Sequence, residues 1–165
     1  MLRAAERVRR ATGWGVLGFA ILFVGGGLWA ADNPLLGTWK LNLSKSKWTP
    51  PPGPLRQSTT YAPFGEDGVF VTIEGVNAQG EPTFAQWAAT YDGRDYPVPS
   101  SRTGVTLRLR RLDAYTTERS DYKAGKPLMT SRRAVSKDGK TLTVTQAGTS
   151  ESGRLINNVV VYDRQ

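Results

Sequence analysis

The feature that most constrains this chain is a hydrophobic period of two residues, repeated along most of its length. In the segment 37–43, Trp39 and Leu41 alternate with polar residues, and the residues of 105–109 follow the same pattern. Successive side chains of a β-strand point to opposite faces, so each segment has one apolar and one wetter side. The pattern predicts half-buried strands, and no segment after Ala31 has a helical period.

Turn signals containing glycine, such as Asp67-Gly68 and Asp138-Gly139, separate these segments at intervals of about a dozen residues. Glycine supplies the positive φ that tight hairpin turns need. The spacing is too short for helical crossovers, so the strands are predicted to be antiparallel. The predicted strands cover residues 37–43, 56–62, 68–76, 82–91, 94–98, 104–112, 115–123, 127–136, 141–147 and 155–163.

Consecutive short strands leave two exposed sheet edges unless the sheet closes on itself. We therefore predict an all-β fold, a single antiparallel up-and-down β-barrel of about 8–10 strands, with a β-sandwich as the alternative. The stretch 44–55, SKSKWTPPPGPL, interrupts the strands. Proline removes backbone donors and fixes φ, so this stretch is predicted to be an extended proline-rich loop.

Residues 1–31 have the three parts of an export signal: a basic start, an apolar middle and a small-residue exit. We predict a signal peptide or signal anchor over 1–31 and one domain over 32–165. The protein is then periplasmic or secreted, and the alternative is an inner-membrane protein anchored by an uncleaved signal. Membrane contact is expected only through residues 14–30, if the signal is uncleaved.

The composition argues against catalysis, because the chain contains neither histidine nor cysteine. Most nucleophilic triads and zinc sites require one of them, so we predict no enzyme, no metal site and no cofactor. The close carboxylates, Glu66-Asp67 and Asp92 with Asp95, fall on turn signals, where such residues cap backbone hydrogen bonds. The net charge is +8, but the basic residues are dispersed, so no nucleic-acid partner is expected.

Aromatic and aliphatic residues on the predicted strands form a candidate ligand site. Trp87 and Tyr91 share a face with Ala85 and Ala89, and small residues beside large ones either leave room for a ligand or interlock across the core. The simpler role for Trp39 is a core residue that plugs one end of the barrel. The predicted ligand-binding residues are Trp39, Val71, Ile73, Trp87, Tyr91, Leu107, Leu109, Val144 and Tyr162.

The opening of the predicted domain, LGTWKL from Leu36 to Leu41, resembles the Gly-x-Trp first strand of the lipocalin and fatty-acid-binding protein superfamily. Together with the segments 91–98 and 136–165, it makes the chain resemble the bacterial exported lipocalin-like proteins of the calycin superfamily. The resemblance implies a barrel that encloses a ligand cavity.

Two departures separate the chain from the fatty-acid-binding proteins. Those proteins have a helix–turn–helix lid after the first strand, where this chain has the proline-rich loop. Their last strand carries an Arg-x-Tyr pair that clamps the ligand carboxylate, and the corresponding positions here are Val160 and Tyr162, with Arg132 or Arg133 as a substitute cation. Burying a carboxylate without a cation is costly, so neutral ligands are expected to compete well with fatty acids.

We therefore expect an exported, non-enzymatic protein that binds a small apolar or amphipathic molecule inside a β-barrel. The alternative is an envelope protein–protein interaction or inhibitor module that acts through surface loops, with Trp48 as an exposed anchor in the proline-rich loop. Arg108 and Arg110 are expected to face solvent, while a reversed register would bury them as cations for an acidic ligand.

Overall fold

The computed structural model of the chain describes residues 33–165. The predicted signal segment and the predicted contact through residues 14–30 lie outside this part. Within residues 33–165, no helix is long and apolar enough to cross a membrane. The described chain contains ten strands and one 3-10 turn at Leu43–Lys45. The strands are β1 (Gly37–Leu41), β2 (Arg56–Pro63), β3 (Gly68–Val76), β4 (Pro82–Thr90), β5 (Tyr96–Pro97), β6 (Val105–Arg111), β7 (Thr116–Lys123), β8 (Lys126–Val135), β9 (Thr141–Thr149) and β10 (Leu155–Arg164).

All ten strands belong to one antiparallel sheet in the order β4-β3-β2-β1-β10-β9-β8-β7-β6-β5. Each strand therefore pairs with its neighbours in sequence, except at β4 and β5, and β1 also pairs with β10. The predicted up-and-down barrel is confirmed as a nearly closed barrel, and the sandwich alternative is wrong. The predicted strand 94–98 is reduced to Tyr96–Pro97, and β1 ends at Leu41, because the Asn42 side chain caps the 3-10 turn that follows.

The barrel is completed by contacts between the β4 end and the β5–β6 end of the sheet, which include a backbone hydrogen bond from the Gly93 amide to the Leu109 carbonyl at 3.2 Å. The Tyr96 hydroxyl lies 2.5 Å from the hydroxyl of Thr90, at the end of β4. Nearby, the Arg111 guanidinium donates to the Asp67 carboxylate at 2.7 Å. These contacts join the two ends of the sheet where the strand ladder does not.

The two ends of the barrel differ in packing. We call the end where β1 begins and β10 finishes the floor, and the end that holds residues 42–55 the mouth. At the floor, Trp39 is completely buried, and its Nε1 donates to the Leu35 carbonyl at 2.8 Å. The Arg164 guanidinium lies 4.2 Å from the centre of the Trp39 ring system. Trp39 therefore packs as a core plug at the floor.

The first half of the predicted proline-rich loop continues alongside β10. The backbone amides of Lys47 and Val159 donate to each other's carbonyls at 2.7 and 2.9 Å, and the Thr49 carbonyl accepts from the Asn157 amide at 3.0 Å. The segment is therefore strand-like as far as Thr49, and only residues after it follow an irregular proline-rich path.

Trp48 lies in this strand-like stretch and is half-buried. It packs against the hydrophobic core, and Gly53 lies so close to the indole that an added Cβ would be 2.2 Å from it. The expectation that Trp48 is an exposed anchor is therefore wrong, because pairing with β10 turns its side chain toward the barrel.

Candidate functional site

The structure places all nine predicted ligand-binding residues in or against one hydrophobic core. Trp39, Val71 and Leu107 are completely buried, whereas Ile73 and Tyr91 are half-buried. The nine residues thus come together inside the barrel, as the alternation predicts. Their role in binding a ligand stays a prediction.

One side of the interior is apolar throughout. We call it the apolar wall, and it comprises the inward residues of β3, β4 and β6. The register follows the sequence prediction, because Arg108 and Arg110 point outward. Arg108 forms two hydrogen bonds to Asp95 outside the barrel, at 2.9 and 3.0 Å. The apolar wall consists of Val69, Val71, Ile73, Ala85, Trp87, Ala89, Val105, Leu107 and Leu109.

A polar wall, formed by inward polar residues of β7 and β8, adjoins the apolar wall at β6. Sequence reasoning named only Arg133 among them, as an alternative to Arg132, and missed the rest. One signal could have found the polar wall. β7, with the sequence TTERSDYK, contains no aliphatic residue, so whichever face turns inward must bring polar groups into the barrel. The polar wall consists of Thr117, Arg119, Asp121, Ser131 and Arg133.

Two members of the polar wall form an ion pair inside the barrel. The Arg119 Nε donates to the Asp121 Oδ1 at 2.6 Å, and their side chains are 14% and 7% exposed. Burial lowers the pKa of the Arg119 guanidinium, and the Asp121 carboxylate opposes that shift. The Arg119 guanidinium also lies 4.9 Å from the Trp87 ring centre, so the two walls meet at Trp87.

Arg133 is a second interior cation with much weaker partners. The residue is 8% exposed, and its guanidinium donates to the Tyr61 hydroxyl and to the Ser131 carbonyl, each at 3.3 Å. No carboxylate of residues 33–165 lies within 4.0 Å of it. Arg132, by contrast, points outward beside Glu118 at 3.6 Å. Of the two substitute cations that the sequence offers, Arg133 is therefore the interior one, and the premise that the interior lacks a cation is wrong.

Two further interior donors lack a partner among the described protein atoms, namely the Trp87 Nε1 and the Tyr91 hydroxyl. Arg133 faces the Trp87 ring with its guanidinium 5.7 Å from the ring centre. Burial raises the pKa of Tyr91, and the charges of Arg133 and Arg111 oppose that shift. Thr117 is near the Tyr91 hydroxyl but outside hydrogen-bonding geometry. The site therefore contains two donors without a protein partner, each beside arginine side chains.

Tyr162, the predicted remnant of the carboxylate clamp, is satisfied by protein groups. Its hydroxyl accepts a hydrogen bond from the Gln57 amide at 2.7 Å, and burial raises its pKa. A second polar link, from the Asn158 amide to the Gln146 side-chain oxygen at 3.0 Å, crosses from β10 to β9. These groups form an interior rim of neutral polar residues.

Of the carboxylates that the sequence places at turns, Asp92 caps a backbone amide as predicted, whereas Asp67 and Asp95 accept from arginine side chains. The Asp92 side chain accepts from the Arg94 amide at 3.0 Å, and this bond holds the pKa of Asp92 below its ordinary value. Asp67 pairs with Arg111. In the part of the chain that the structure describes, no three metal-ligating side chains come together.

A groove of about 610 Å³ lies on the outside of the barrel. Its lining includes the outward residues Lys40, Ser58, Glu74 and Phe84. The groove is therefore separate from the interior between the two walls.

Comparisons with known proteins establish the fold and nothing finer. No family model matches the chain, and no curated protein matches it. Solved structures that resemble it include the wild-type fluorescent protein UnaG, with a TM-score of 0.55 and 18% identity over 79% of this chain and 96% of that one. A Schistosoma mansoni fatty acid binding protein in complex with arachidonic acid has a TM-score of 0.54 and 15% identity over 81% and 98%. As-p18, an extracellular fatty acid binding protein, has a TM-score of 0.51 and 15% identity over 81% and 98%.

Proposed function

We propose that this protein binds a small amphipathic molecule inside the barrel, with an acidic group at Arg133 and an apolar portion against the apolar wall. The observation that carries the proposal is Arg133, a cation buried without a counter-ion among the described residues. A bound anion is the chemical complement of such a group.

The energetics favour an acid over a neutral molecule. An uncompensated charge is expensive to bury, and a buried pair is favourable only when it is well hydrogen-bonded. The guanidinium can donate two parallel hydrogen bonds to a carboxylate. The unpartnered Trp87 Nε1 and Tyr91 hydroxyl are further donors for an acceptor group at this place.

The apolar wall supplies the complementary half of the site. Pockets for such ligands are mostly apolar, with a few polar groups that fix orientation, and this division matches the two walls. The fold neighbours support the proposal at the level of architecture, since one of them was solved with arachidonic acid, an acid with a long apolar chain.

The proposal includes a non-enzymatic role and export directed by residues 1–31, to the periplasm or the medium. An inner-membrane protein anchored by the same segment is the alternative. Intact-mass measurement of the exported protein distinguishes them, because a mass that retains residues 1–31 in the membrane fraction supports the anchor. The role as a surface interaction module loses its main support, since Trp48 is half-buried.

The binding test is a titration of tryptophan fluorescence with a fatty acid, the fatty alcohol of equal length and a hydrophobic dye. We expect saturable binding that favours the acid. Arg133→Met should weaken acid binding about 10- to 100-fold and leave alcohol binding nearly unchanged, because it removes charge-assisted hydrogen bonds. Trp87→Phe identifies the reporting indole.

Arg132→Met is the matched control, since it makes the same chemical change one residue away on the outer face. The affinity of this variant for the acid and for the alcohol should stay within about twofold of the parent, a difference of less than half a kcal/mol. Absence of saturable binding by well-folded protein contradicts the proposal. Equal losses in the Arg132 and Arg133 variants contradict the assignment of the acidic group.

A further inference from the structure

Exposed apolar side chains concentrate toward the mouth of the barrel. The large hydrophobic residues that are more than half exposed are Leu43, Leu55, Phe84 and Leu155, at 51, 55, 63 and 66%. Leu55, Phe84 and Leu155 lie at the mouth ends of β2, β4 and β10, and Leu43 shares the outer groove with the first two. At the floor, Phe64 and other exposed hydrophobics are no more than 42% exposed.

Charge is distributed with the same asymmetry. The stretch 42–49 runs alongside β10 and is left out of the count. The remaining connections at the mouth, with the strand residues that flank them, carry five basic and two acidic residues, and those at the floor carry five basic and six acidic residues. The basic residues at the mouth are Arg56, Arg102, Lys123, Lys126 and Arg154.

The exposed apolar side chains at the mouth do not form one patch. Leu43, Leu55 and Phe84 share the outer groove, while Leu155 stands apart from it. Four strand spacings, about 19 Å at about 4.8 Å each, separate Leu155 from Phe84 across the sheet, and Leu155 also lies eight residues along β10 from Asp163, which shares the row of Phe84. A protein interface needs a contiguous apolar centre, whereas a lipid surface accepts separate apolar side chains with cations between them.

We propose that the mouth of the barrel docks on an anionic lipid bilayer, with Leu55, Phe84 and Leu155 inserted at the interface and the surrounding basic residues over the anionic headgroups. The opposite end of the barrel, which is slightly acidic, faces away from the membrane. This contact is made by the folded domain and is independent of residues 14–30.

The full chain can be tested directly because it contains no cysteine. A single Leu55→Cys or Phe64→Cys substitution gives one site for an environment-sensitive dye, at the mouth or at the floor. Vesicles of phosphatidylcholine are compared with vesicles in which about a third of the lipid is phosphatidylglycerol. We expect a blue shift of the dye at position 55 with the anionic vesicles only, reversed by high salt, and no shift at position 64. Residues 14–30 are present in both proteins.

A second comparison tests the charges. Replacing Arg56, Lys126 and Arg154 by glutamine should weaken the vesicle response of the dye at position 55 by about fivefold per residue. The matched floor variant, with glutamine at Arg94, Lys137 and Lys140, should respond like the parent. Equal responses at positions 55 and 64, equal effects of the two triple variants, or no response from folded protein each overturn the proposal. A response on phosphatidylcholine alone overturns its electrostatic part.

Discussion

β6 and β7 are neighbours in one sheet, yet their inward faces share no residue type. β6 packs aliphatic side chains that are at most 5% exposed, whereas β7 turns Thr117, Arg119 and Asp121 into the same interior. An apolar β7 would fold the same barrel with less desolvation of charge. The inward residues of β6 therefore stabilise the barrel. The charged inward residues of β7 cost stability, which the rest of the barrel offsets.

Breaking the ion pair of the polar wall should have the largest effect on the stability of the protein. Asp121→Ala leaves Arg119 buried without its partner and should lower the free energy of unfolding by about 3–5 kcal/mol, measured by urea unfolding. Asp95→Ala, which removes the exposed partner of Arg108, should change stability little. The double variant Arg119→Met/Asp121→Leu should be at least as stable as the wild-type protein. If it is less stable than the wild type, the pair contributes net stability, contrary to this account.

A cavity in the apolar wall should have the next largest effect. Leu107→Ala removes a completely buried side chain and should cost about 3 kcal/mol in the same urea measurement. Leu112→Ala, at an exposed position just beyond β6, should cost less than about 0.5 kcal/mol. Similar losses at the two positions would mean that the apolar wall is not tightly packed.

Arg133→Met should act in the opposite direction. Without ligand, replacing this interior cation, which has no counter-ion among the described residues, by an apolar side chain of similar length should raise the free energy of unfolding by about 1 kcal/mol. Function and stability would then oppose each other at one residue. A loss of stability in this variant would show that the bonds to Tyr61 and Ser131 outweigh the burial of charge.

The smallest expected effect is on the stability of the protein at alkaline pH. Burial raises the pKa of Tyr91, so its contribution to stability is complete below the unfolded value of about 10 and is lost as pH rises through the folded value. Tyr91→Phe should therefore flatten the fall in stability above pH 10, measured by thermal unfolding across pH. Tyr115→Phe, at an exposed position, should leave that slope as it is.

Much of the fold could be predicted because alternation and turn residues act locally. Leu107 and Leu109 fixed the register of β6, which correctly placed Arg108 and Arg110 outside. In β10, the alternation around Val160 and Tyr162 likewise placed both inside. The strand-like continuation to Thr49 could not be predicted, because it depends on pairing with β10, which is distant in sequence.

Apart from Arg133, which the sequence offered only as an alternative to Arg132, the polar half of the site was missed for a physical reason. Hydrophobic alternation shows which face is buried only where the two faces differ, and in β8 the adjacent Arg132 and Arg133 give no preference. Pairing decides between them, since Arg133 lies opposite the buried Val144 of β9. That pairing depends on the register across the turn between β8 and β9, which the alternation within β8 alone does not fix.

The junction of β4 with the segment around β5 has a mechanical consequence. These strands are the two ends of one sheet. The barrel closes where the two ends meet, and the side-chain contacts at Tyr96 and Asp67 help to hold it closed. Opening this junction breaks a few hydrogen bonds and one ion pair of about 1 kcal/mol or less each. Every other pair of neighbouring strands is joined by a backbone hydrogen-bond ladder. We therefore expect breathing motions of the barrel to concentrate at this junction, where the two ends of the sheet can part without unfolding a strand.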